Sequence, residues 1–159
     1  MMADTANGPG ANKARELEAI RQMEADMSKA IARLDIPEVM THYVDNDSLV
    51  LFDQMTPRQY NGRQAMIDIW NDFLENKVKS LDSYSSSEPT MWVSEAGDLA
   101  GGFLFHSSDL TMLDGTQMSV VLRVTHVLVK QNGRWVVQHE HGSFPINWET
   151  GEVDYLSKE

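Results

Sequence analysis

MSVVLRVTHVLVKQNGRWVVQHEHGS, residues 118–143, decides the fold. Two apolar, β-branched runs flank Asn132-Gly133, and both turn residues tolerate the positive φ that a tight hairpin demands. The stretch therefore predicts two antiparallel strands, residues 118–130 and 135–143. Toward the N-terminus, Asp114-Gly115 and Gly97-Asp98 mark two more turns. The segments they bound, 80–94 and 99–110, have the same strand composition. Four successive strands joined by tight turns make an antiparallel meander.

Upstream of residue 80 the apolar period changes from two to about 3.6. Leu17, Ile20, Met27, Ile31 and Leu34 form one face of a helix over residues 13–34. Asp35 then stands three residues before Glu38 with Pro37 between them, a capping box that opens a short helix through Tyr43. Residues 49–53, LVLFD, read as a short strand, followed by a loop with Pro57, Tyr60 and Gly62. Met66, Ile69, Trp70 and Phe73 share one face of a helix over 63–76. Helices first and a long meander after is an α+β pattern in one domain.

Composition removes several classes of function. The 13 lysines and arginines face 24 acidic residues, for a formal charge of -11. Such a surface repels phosphate backbones and anionic membranes, so neither nucleic acid nor membrane is an expected partner. There is no cysteine, hence no disulfide, thiolate metal site or cysteine nucleophile. Residues 1–12 are polar and contain glycine and proline, which predicts a disordered leader rather than a signal peptide. With no apolar run near the ~18 residues of a membrane span, a soluble, cytoplasmic protein is expected. Residues 148–159 form an acidic tail that the sequence leaves open between docked and loose.

Few residues carry chemistry. His106 and His126 lie in otherwise apolar strands, where an imidazole is either a satisfied core group or a proton carrier. Asp53 ends the first strand and Tyr60 sits in the loop after it. Each is either a turn or surface residue, or a base and a phenolic donor to a developing oxyanion. Trp70 and Phe73 are core residues or a stacking wall. His139-x-His141 puts two imidazoles on one strand face, a spacing that metal sites use. The motif holds no third ligand, so no metal and no cofactor are expected. Glycine-rich phosphate loops, serine elbows and dinucleotide motifs are missing from the sequence.

The order of elements resembles the NTF2-like superfamily, and its SnoaL-like and ketosteroid-isomerase-like branch in particular. Leu49-Val50-Leu51-Phe52-Asp53, leading to Pro57, Tyr60 and Gly62, is similar to that branch's first strand and lid loop. Arg123-Val124-Thr125-His126, through Gly133-Arg134-Trp135, to His139-Glu140-His141-Gly142-Ser143 is similar to its final hairpin. It is also similar to the association domain of calmodulin-dependent kinase II. The resemblance spans about residues 14–147. It implies a cone, with N-terminal helices packed in the concave face of a strongly curved antiparallel sheet around a cavity, over residues 13–147.

The register of the last hairpin decides which residues face that cavity. A two-residue turn at Asn132-Gly133 sets His126 opposite His139. A three-residue loop over 131–133 sets His126 opposite Gln138 and Val124 opposite Glu140. Turn chemistry admits both. In the kinase association domain, the basic residues lining the cavity match His106, His126 and Gly142, which share a face only in the three-residue register. The resemblance thus implies a cavity lined by His106, His126, Gln138 and Glu140, with Trp135, His139 and His141 on the other face. Histidines and a glycine stand here where that relative is basic, which implies proton transfer rather than anion binding.

On this basis Asp53, Tyr60, His106, His126 and Glu140 are the expected catalytic residues. Tyr43, Trp70, Phe73, Leu104 and Gln138 are the expected substrate contacts. His126 is expected to titrate near neutral pH, because burial and a neighbouring carboxylate act in opposite directions. The implied activity is that of a cofactor-independent lyase or isomerase acting on a hydrophobic, aromatic or polycyclic small molecule. A ketosteroid isomerase, a polyketide cyclase and a dehydrating or deformylating lyase of aromatic catabolism are the forms considered. The alternative is a non-catalytic small-molecule-binding or oligomerisation module. Finally, Trp135 and Val137 on one face, and Val124 and Leu128 on the other, predict a homodimer or higher oligomer covering the outer face.

Overall fold

The structure is a computed structural model that describes residues 9–157. Helix α1 (Pro9–Ala32) leads to α2 (Ile36–Met40), β1 (Val50–Phe52), β2 (Tyr60–Asn61) and α3 (Arg63–Asn76). The meander follows as β3 (Val78–Ser86), β4 (Thr90–Val93), β5 (Leu99–Met112), β6 (Gln117–Gln131) and β7 (Arg134–Ser143). Residues 1–8 of the expected leader lie outside the described residues. Residues 9–12 form the first turn of α1 instead, with Pro9 at a position where its missing N–H costs nothing. Asp35 caps α2 as its spacing predicts, accepting from the Glu38 N–H at 3.2 Å.

The sheet runs β2-β1-β7-β6-β5-β3, with β4 on the same edge of β5 as β3. It is mixed, since β1 lies parallel to β7 while the other pairs are antiparallel. The strand expected over 80–94 is broken into β3 and β4 around Pro89, which has no N–H for the ladder. Ser87 bridges the break, donating its N–H to the Phe105 carbonyl and accepting the Phe105 N–H on its hydroxyl.

Helix α1 lies in the concave face. Ile20 and Ala30 are fully buried and Met27 nearly so, against Val39, Leu49, Leu128 and Val137. Burying each such aliphatic side chain stabilises the fold by about 1.5–3 kcal/mol relative to exposure.

Gly101 and Gly102 let β4 press closely onto β5. A Cβ on Gly101 would stand 2.7 Å from the Trp92 ring, and one on Gly102 would meet the Thr90 carbonyl oxygen and Met91 Sδ. Gly102→Ala is therefore expected to destabilise the protein by about 1–3 kcal/mol. Urea unfolding reads this directly; a loss below about 0.5 kcal/mol would mean that the β4 backbone yields.

The final hairpin corrects the expected register. Asn132 and Gly133 have φ of 53° and 77°, the signature of a two-residue type I′ turn. Gln131 pairs with Arg134 and Leu128 with Val137, so Trp135, Val137, Val124 and Leu128 all turn inward and are buried. A bulge at Gln138 then inserts one residue, and beyond it His126 pairs with Glu140 and Val124 with Gly142. The turn governs one end of the hairpin and the bulge re-aims the other.

The C-terminal tail is docked. Ile146 bridges Val153, the Val121 N–H donates to the Tyr155 carbonyl at 2.6 Å, and the Ser157 hydroxyl donates to the Val121 carbonyl at 2.7 Å. This puts Tyr155 against Phe144 at 5.2 Å between ring centroids and makes both part of a cavity wall. Among the described residues, no helix is long and apolar enough to cross a membrane.

Candidate active site

Between α1, α3 and the inner face of the sheet lies a cavity of about 600 Å³. Its wall is largely apolar, with methionines, Leu110, Val120 and Leu122 from the strands and Trp70 and Phe73 from α3. Carboxylate and imidazole groups reach it from three elements: Asp53 after β1, His106 on β5, and Glu140 and His141 on β7. Asp53, His106 and Glu140 were expected there, as were Tyr43, Trp70 and Phe73, whereas His141 was expected on the other face.

Glu140 is held at one oxygen only. The Tyr43 hydroxyl donates to Oε2 at 2.5 Å and His126 Nε2 donates to the same atom at 3.0 Å. Its other oxygen, Oε1, has no hydrogen-bond partner among the described residues. Tyr43 is aimed by the backbone: it bridges Val137, and the flanking Val44 N–H and His42 carbonyl bond the same residue. Glu140 is 23% exposed, so a molecule in the cavity can reach it, whereas His126 at 0% cannot be reached.

Behind Glu140 stands a group that the sequence did not point to. His126 Nδ1 donates to Glu24 Oε1 on α1 at 2.7 Å, so one imidazole joins two carboxylates through the core. Desolvation opposes charge on His126, but the Glu24 charge and the bonds to both carboxylates outweigh it and lift its pKa to about 10. His126 is thus a fixed imidazolium rather than a group titrating near neutrality. Desolvation likewise works against charge on Glu140, yet His126 and Tyr43 hold its carboxyl below the usual range. Burial and the Glu140 charge keep Tyr43 a phenol.

His106 sits apart from this network. Burial pulls its pKa down to about 4, so it is a neutral imidazole at physiological pH. Its ring meets Tyr84 edge-on at 5.4 Å, and neither ring nitrogen has a hydrogen-bond partner among the described residues. The Tyr84 hydroxyl is buried, and burial followed by the Glu140 and Glu24 charges raises its pKa. Asp53 accepts the Met55 N–H at 3.1 Å, while desolvation raises its pKa.

Four expected site residues are placed elsewhere. Tyr60 is not on the cavity wall; its hydroxyl donates to the Thr56 carbonyl at 2.7 Å within its own loop. Gln138 is the bulge residue and donates to the Ser48 carbonyl and hydroxyl, both at 2.8 Å. Leu104 is buried, pairing with Val124 one inward step beyond His106 and Leu122, where side chains close the cone. His126 lies behind the wall rather than in it. On the outer face, His139 donates from Nδ1 to the Val50 carbonyl at 2.8 Å. Phe52 meets both His139 and His141 edge-on. Among the described residues, no three His, Asp or Glu side chains are arranged to hold a metal ion.

A curved mixed sheet around a helix, with acid–base groups gathered in its cavity, defines the NTF2-like fold, and the chain belongs to the SnoaL-like domain family, whose profile matches residues 20–147. No curated protein sequence matches the chain. Among solved structures, it is similar to an NTF2-like protein of unknown function from Pseudomonas putida KT2440, with 27% identity, a TM-score of 0.75, and 92% of this chain and 97% of that one covered. It is also similar to a ketosteroid isomerase-like protein from Erwinia carotovora atroseptica, at 22% identity and a TM-score of 0.66 over 80% and 95% of the two chains. A type 3 hexachlorocyclohexane dehydrochlorinase from Novosphingobium barchaimii is 11% identical, with a TM-score of 0.71 over 92% and 91%. At the last two identities the likeness concerns the fold.

Proposed function

We propose that the cavity is the active site of a cofactor-independent lyase or isomerase that removes a proton from a carbon acid in a hydrophobic small molecule. The observation that carries this is Glu140, a carboxylate kept ionised at the cavity wall through one oxygen while the other is free to act. Oε1 takes the proton, and the C–H electron pair moves toward an activating group, usually a carbonyl. Neutral His106 donates a hydrogen bond to the oxygen where charge gathers, as a neutral imidazole can without giving up its proton. Protonated Glu140 then returns the proton to a second carbon in an isomerisation. In an elimination the proton assists departure of a β-substituent. The apolar wall strengthens each of these contacts.

Related folds named for isomerisation and dehydrochlorination favour this class of chemistry and leave its members open. A direct test incubates the protein with cyclohex-3-enone, a β-hydroxyketone and a chlorinated cyclohexane. Double-bond migration, loss of water and release of chloride are then followed separately. Turnover of at least one, lost when Glu140 is replaced by Gln, is the expected result. Turnover that survives that replacement would mean that another group is the base, and turnover of none would favour a binding module, which needs the pocket's shape but not its base.

We also propose that the working unit is a homodimer. The residues first thought to require a cover are all buried, but the outer face has others: Trp92, Phe103 and Phe105 are 51%, 50% and 39% exposed. The pairing places them together on the convex side, and patches of this kind mark interfaces. Sedimentation at micromolar concentration should give a dimer, and Phe103→Asp a monomer; a monomeric parent protein would refute this.

A further inference from the structure

We infer that the molecule taken into this cavity carries a positive charge: an apolar ligand with a protonated amine, seated against Glu140. The inference rests on the cavity being a ligand site, as proposed above, and not on its turnover. Among the described residues that line the cavity there is no lysine or arginine; the acids are Glu140 and Asp53, and the imidazoles are His106 and His141. The nearest fixed cation, His126, is shared between Glu140 and Glu24, so the network sets one imidazolium against two carboxylates. That imbalance is buried. A low-dielectric wall strengthens the resulting negative field at the one exposed carboxylate.

A carboxylate or phosphate ligand would enter that field with no lysine or arginine to receive it, and its desolvation would go unrepaid. A neutral ligand would leave Oε1 of Glu140 short of a charged partner. An ammonium answers both deficits, by a charge-assisted bond to Oε1 and a second bond to a nitrogen of neutral His106. The rest of the wall suits the same ligand. Trp70 stands edge-on to Phe73 at 6.0 Å, and Tyr155 stands edge-on to Phe144. Aromatic faces attract a cation, and they also pack the apolar body that bears it.

Calorimetric titration of the full chain at pH 7 with three probes of one shape tests this: 4-phenylbutylammonium, 4-phenylbutan-1-ol and 4-phenylbutanoate. The ammonium should bind about 10–100-fold more tightly than the alcohol, as a hydrogen bond to a charged group implies, and the carboxylate should bind most weakly. Glu140→Gln should bring ammonium and alcohol within about threefold of each other while the alcohol's own affinity holds. Should that variant fail to fold, Asp53→Asn leaves the buried network untouched and should narrow the preference by a smaller factor. An alcohol that binds as well as the ammonium, a carboxylate that binds best, or no binding by any probe at millimolar concentration would overturn the inference. So would a preference that both variants leave unchanged. Binding and turnover separate the two ideas. Preferential binding of the amine without any reaction sinks the enzyme and spares the inference, and reaction without such binding does the reverse.

Discussion

Glu140→Gln is expected to lower kcat/KM about 10²- to 10⁴-fold, the usual contribution of a positioned general base. The amide keeps the shape and can still accept from Tyr43 and His126, so binding of the neutral probe should change little. The pH profile gives a sharper result. A histidine base titrating normally would produce an inflection near 6.5. Here His126 is charged up to about 10, His106 is neutral above about 4, and Glu140 is ionised from below its usual range. Activity should therefore rise through the acid range near pH 4 and run flat across neutrality. It should fall only when His126 loses its proton near pH 10 and Glu140 loses its counter-charge. An inflection of kcat/KM between pH 6 and 7, within the ordinary range of histidine, would show that a different group is the base.

His126→Gln is expected to cost about 3–5 kcal/mol of stability at neutral pH, because it leaves two buried carboxylates facing a group without charge. This differs from the expectation of a cavity-lining residue that titrates near neutral pH. The sign of the pH dependence follows from the raised pKa. A histidine with a folded value of about 10 against an ordinary 6.5 contributes its full stabilisation below pH 6.5. That contribution is lost progressively as the pH rises through 10. The parent protein should accordingly weaken on the alkaline side, and the variant should not show that slope. Urea unfolding at pH 6.5 and at pH 10 compares the two limits. Equal stability at both, together with a variant within about 1 kcal/mol of the parent, would mean that His126 is not the charged centre of the core.

Much of the molecule was legible from local pattern. The three turns, the 3.6-residue stripes of α1 and α3 and the capping box of α2 are short-range features, and each has the element its residues call for. Asp53, His106 and Glu140 were identifiable as polar residues in apolar strands that end at a common cavity. Tyr60 was misplaced because nothing local distinguishes a loop tyrosine that bonds its own backbone from one that bonds a ligand.

What the sequence determined by itself is the alternation of periods, and with it an α+β fold with a meander and a short set of acid–base groups. The tertiary structure decided what those groups are. Turn chemistry at Asn132-Gly133 constrains only the residues beside the turn, so the bulge at Gln138, which sets Glu140 opposite His126, could be read only once β7 met β6 and Ser48. The same holds for Glu24, 102 residues from His126 along the chain. Charge is a property of the assembled environment: a histidine between two carboxylates is a cation at neutral pH, and one against apolar walls is neutral. Residue type offers the proton, but only the distances and burial brought by folding determine where it stays.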